Sequence, residues 1–71
     1  MEDHIQVLKY LINNPELSII NYNSSVSIVA FKELFDMGYV EGIDVGGDVN
    51  PLEYLDPRIT LRGRDLLAQN T

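Results

Sequence analysis

Apolar residues recur at helical spacing near the start of the chain. At about 100° per residue, Ile5, Val7, Leu8, Leu11 and Ile12 share one arc, while Gln6, Lys9 and Asn13 lie opposite. This predicts a helix over 3–13, with Asp3 favourable at its start and Asn13-Asn14-Pro15 ending it, because a residue before proline is pushed out of the α region. His4 falls on the apolar arc in the first turn and reads as a partly packed side chain. In the connector 16–23, Leu17, Ile19, Ile20 and Tyr22 fit a short strand or a helical turn equally well. A second helix is expected to start at Ser24 or Ser25 and run through Met37. Its buried arc would hold Val26, Ala30, Phe31, Leu34, Phe35 and Met37, and its outward arc Val29, Lys32, Glu33 and Asp36. Gly38 suits the left-handed residue that closes such a helix.

Beyond Gly38 the period changes. Residues 39–45 read as a strand, and Gly46-Gly47-Asp48 as a turn tip in which glycine tolerates positive φ. Pro51 and Pro57 make the return arm irregular, with a short strand expected only at 58–61. Thr60 is placed to cap a last helix, Leu61 to Gln69, packing through Leu61, Leu66 and Leu67. Gly63 in its first turn costs about 1 kcal/mol against alanine, which a close backbone approach would explain. The order predicts an α+β fold: a single small winged-helix-like domain over residues 1–71, built as helix, short connector, helix, two-stranded wing hairpin and C-terminal helix.

Three stretches carry a family resemblance. Residues 32–43 (KELFDMGYVEGI) look like the end of a winged-helix recognition helix and its first wing strand. Residues 58–67 (RITLRGRDLL) are similar to the Leu-Thr-x-x-Gly-x-x-x-Leu ending of such domains, and the opening helix adds its Ile and Leu spacing. Together they resemble a family of small winged-helix proteins of bacteria, phages and prophages, a domain of unknown function. The resemblance implies the fold and carries no activity. The connector between the first two helices is shorter than in longer members, leaving a single turn of middle helix or none.

Charge then bears on function. Eleven Asp and Glu against five Lys and Arg give 71 residues a net charge of −6, which repels a phosphate backbone over most of the surface. A winged helix nevertheless invites a DNA-binding reading. Its candidates are Lys32, Arg58, Arg62 and Arg64, with Ser24 and Ser25 offering a phosphate the free N–H groups of a helix N-terminus. The arginines equally suit solvation and pairing with Asp65, Asp56 or Glu53. The rival reading is an acidic protein-interaction module, including one that imitates the charge of DNA to occupy a host nucleic-acid-binding protein. Its candidates are Val29, Leu52, Tyr54 and Leu55, unless Tyr54 and Leu55 fold back on the core.

Catalytic and metal chemistry find little support. One His and no Cys leave neither a credible nucleophile set nor a thiolate site. Asp44-x-Gly-Gly-Asp48-x-Asn50 lacks the spacing of a calcium loop. No cofactor, metal or catalytic residue is therefore expected. The start Met1-Glu2-Asp3-His4 has no basic or apolar leader, and the longest apolar run is four residues against roughly 20 for a membrane span. The expectation is a cytoplasmic, non-enzymatic regulatory domain, as a monomer or homodimer, contacting DNA, a nucleic-acid-associated protein or another protein, with no membrane partner.

Overall fold

The computed structural model describes residues 2–49 and 51–70; Met1, Thr71 and Asn50, the last residue of the Asp44-x-Gly-Gly-Asp48-x-Asn50 sequence, lie outside them. The element order is α1 (Glu2–Asn13), β1 (Ile19–Asn21), α2 (Ile28–Asp36), β2 (Val40–Asp44), β3 (Glu53–Ile59) and α3 (Leu61–Gln69). The fold is α+β, in an arrangement consistent with a small winged-helix-like domain. The expected β2–β3 hairpin is present, and the connector adds a third strand to it, β1, giving a three-stranded antiparallel sheet of order β1-β3-β2. Residues 22–26, between β1 and the Ser27 cap of α2, are turns and bends, so no middle helix precedes α2.

Both helix ends flagged by glycine and threonine form as their chemistry requires. Met37 caps α2, and Gly38 follows at φ +82°, a conformation costly for any residue with a Cβ. Thr60 caps α3: its Oγ1 accepts from Gly63 N at 3.1 Å and donates to Gly38 O at 2.8 Å. One hydroxyl thus joins the start of α3 to the turn after α2. Gly63 is buried, and a Cβ there would collide with the Tyr39 carbonyl oxygen and come within 2.7 Å of Ile59 Cγ1. The close approach expected of this glycine is present.

Other boundaries differ from expectation. Helix α2 begins at Ile28, not near Ser24, because Ser27 takes the capping position and its Oγ accepts from Ala30 N at 3.1 Å. The return arm is a seven-residue strand at the centre of the sheet. It accommodates Pro57 through a β-bulge: Glu41 pairs Arg58 and Ile43 pairs Leu55, so Gly42 alone opposes Asp56 and Pro57. Asp56 occupies the left-handed region at φ 49°, a conformation Asp tolerates better than most side chains. At the hairpin tip neither Gly46 nor Gly47 has positive φ. Gly46 is needed instead because a Cβ would run into the Pro51 carbonyl.

The core lies between the helices and one face of the sheet. Val7, Leu8 and Leu11 from α1, Phe31 and Leu34 from α2, and Ile20, Val40 and Tyr54 from the three strands are buried. Phe31 and Tyr54 have ring centroids 4.8 Å apart, and Phe35 and Tyr54 5.0 Å; such aromatic pairs contribute about 0.5–1.5 kcal/mol each beyond area burial. Three residues assigned to buried arcs, Ile12, Met37 and Leu61, are exposed, whereas Val26, ahead of α2, and Phe35 are half-buried against the core. Leu66 and Leu67 alone carry the packing of α3 expected of its leucines.

Candidate functional site

Helix α2 presents Val29, Lys32, Glu33 and Asp36 outward, as its periodicity requires. Its lone cation is engaged. Lys32 Nζ donates to Asp36 Oδ2 at 2.6 Å, and that hydrogen bond and charge raise the Lys32 pKa. Glu33 Oε1 meets His4 Nε2 at 2.7 Å, tying α2 to α1. One positive and two negative side chains leave the face at −1, with no Arg, Asn or Gln to read a base edge.

The two serines expected at the helix N-terminus are elsewhere. Ser24 Oγ accepts from Asn21 N at 3.1 Å, while Asn21 Oδ1 accepts from Asn23 N at 2.9 Å, closing a turn after β1. Ser25 is exposed on the next bend. Neither can present the α2 N–H groups to a phosphate, because these begin at Ile28 behind the Ser27 cap.

The three arginines do not gather. Positions 62 and 64 lie about 200° apart around α3, so their side chains leave on different sides. Arg62 Nη1 donates to Met37 O at 2.8 Å at the end of α2, and its guanidinium lies 4.8 Å from the Tyr39 ring centroid. It fastens α3 to the α2–β2 turn. Arg58 and Arg64 line a separate groove of about 130 Å³, floored by Leu11, Ile12, Pro15, Pro57 and Ile59. The expected pairing with Asp65, Asp56 or Glu53 is not seen: among the described residues the carboxylates in contact with a basic side chain are Glu33, on His4, and Asp36, on Lys32. Nor do any three His, Asp or Glu side chains there group as metal ligands.

The apolar candidates also separate. Tyr54 is 2% exposed, seated on Phe31 and Phe35, and is core. Leu52 is half-buried against the same core. Val29 stands exposed on α2, away from any apolar neighbour on its own outward arc. Leu55 points the other way from Tyr54, onto the outer face of the sheet, and there it has company that the sequence reading missed. Ile19 and Ile43 are its register partners on β1 and β2, so the three side chains form one row across all three strands. All three are exposed, Ile43 to 56%. Val45, whose N donates to Glu53 O at 3.0 Å, continues the patch on the same side. Asn21, Glu53, Glu41 and Arg58 frame it, with Asn21 Nδ2 donating to Glu53 Oε1 at 3.2 Å.

The alternation Glu41-x-Ile43-x-Val45 is the only trace of this patch in the sequence. The pairing that aligns Ile19, Leu55 and Ile43 has no local signal. The chain matches no family model, curated protein or solved structure. Any functional assignment therefore rests on the surfaces just described. Among the described residues, no helix is long and apolar enough to cross a membrane.

Proposed function

We propose that this chain is a non-enzymatic regulatory module that works by docking protein against the outer face of its sheet. The Ile19–Leu55–Ile43 row carries the reading. Aliphatic side chains aligned across three strands and rimmed by polar groups have the anatomy of a protein interface, and water gains when such a patch is covered. The acidic surface and the engaged Lys32 favour a protein over a phosphate backbone. We assign it to the cytoplasm on its lack of cysteine.

A photo-crosslinking residue introduced at Leu55 tests this in cells. Protein adducts are expected there, and none from a matched probe at Asp3 on the exposed start of α1; equal labelling from both sites would remove the proposal.

One observation favours a second reading, contact with nucleic acid: Arg58 and Arg64 line the same groove, and neither has an ion-pair partner among the described residues. A low-salt gel shift separates the two. The protein-docking reading expects no shift of duplex DNA at micromolar protein. A shift abolished by Arg58→Ala with Arg64→Ala would install nucleic acid in its place.

A further inference from the structure

We infer that the occupant of the outer sheet face is a second copy of this chain, docked face to face about a two-fold axis. The inference rests on the docking reading above and names its partner. It follows from what the β-bulge does to the charges on β3. Without the bulge, Arg58, three residues beyond Leu55, would point into the core side. Because Asp56 and Pro57 together oppose Gly42, Arg58 instead emerges beside Glu41 on the outer face. Arg58 then lies two ladder steps from the Leu55 row in one direction, and Glu53 two steps in the other.

That spacing is self-complementary. Consider a two-fold axis in the plane between two sheets, perpendicular to the strands and running along the Leu55 row. Leu55, Ile19 and Ile43 each meet their own counterpart, and each Arg58 faces Glu53 of the second copy. The charged side chains of the face, Arg58 against Glu41 and Glu53, sum to −1 in a chain of net −6, so this is a face on which two acidic copies can meet. A two-layer domain with one bare sheet face gains its missing layer in this way.

Sedimentation equilibrium on the intact chain tests the inference through a charge exchange. The wild type is expected to weigh twice its 8.0 kDa with a dissociation constant on the order of 10 µM, since the face is small. Leu55→Lys, at an exposed position, is expected to be monomeric with an unchanged circular dichroism spectrum. Arg58→Glu alone and Glu53→Arg alone are each expected to weaken self-association by about tenfold or more. In a mixed dimer of these two variants, opposite charges again face each other at both contacts. An equal mixture is therefore expected to recover the wild-type mass. A monomeric wild type at about 100 µM, or a mixture no heavier than its components, overturns the inference. If the wild type is monomeric yet position 55 still crosslinks to protein, the docking face stands with a different occupant. If position 55 labels nothing, the docking reading falls as well.

Discussion

Gly63 shows how much a single hydrogen can decide. Alanine normally gains about 1 kcal/mol over glycine inside a helix, so propensity alone favours substitution. Here the added methyl would collide with the Tyr39 carbonyl and crowd Ile59, and neither a backbone oxygen nor a packed aliphatic can step aside cheaply. Overpacking of this kind costs about 1–3 kcal/mol, and a backbone neighbour places it at the upper end. We expect Gly63→Ala to lower stability by about 2 kcal/mol in urea titrations; an unchanged or higher midpoint would contradict the close approach. This contact was legible in the sequence because glycine is a poor helix former and its presence there needs a reason. Tyr54 was less so. Its ring suited an interface or a core equally, and only the facing Phe31 and Phe35 assign it inward.

At the scale of elements, the start of α2 is the instructive case. Ser24, Ser25 and Ser27 are all competent caps, so local chemistry offers three starting points. The choice falls on Ser27 because Asn21 and Ser24 bond each other around the turn that ends β1. Substituting Ser27→Ala should therefore cost about 1 kcal/mol, while Ser25→Ala, on an exposed bend, should stay within about 0.5 kcal/mol. Thermal melts of the two variants check this, and equal losses would return the cap to the earlier serine. Strand β3 differs from expectation for a related reason. Pro51 and Pro57 read as making the return arm irregular, but a bulge relieves Pro57 of pairing, and bulges follow from two strands meeting rather than from either alone.

For the whole molecule, stability is linked to proton binding at the junction of α2 and the sheet. Burial first, and then the Asp44 carboxylate, raise the Tyr54 phenol above its ordinary 10.0. The unfolded chain releases that proton at lower pH than the folded one. Tyr54 therefore contributes its full share below about pH 10 and loses it as pH rises through the folded value. The urea midpoint of the wild type should fall more steeply than that of Tyr54→Phe between about pH 9 and about pH 11. Parallel curves would show that Tyr54 does not couple folding to pH.

By itself, the sequence determined the α+β class, the first and last helices, the Gly38 and Thr60 ends, the need for glycine at 63 and the acidic outward face of α2. Each follows from periodicity or from the conformational limits of one residue, and both are local properties of the chain. Tertiary structure decided that residues 19–21 form a strand, that Arg58 and Arg64 part from Arg62, and that Ile19, Leu55 and Ile43 align on an open face. Those outcomes depend on strand register. Register is set by pairing between segments more than thirty residues apart in the case of Ile19 and Leu55, and an offset of one residue reverses which face every side chain takes.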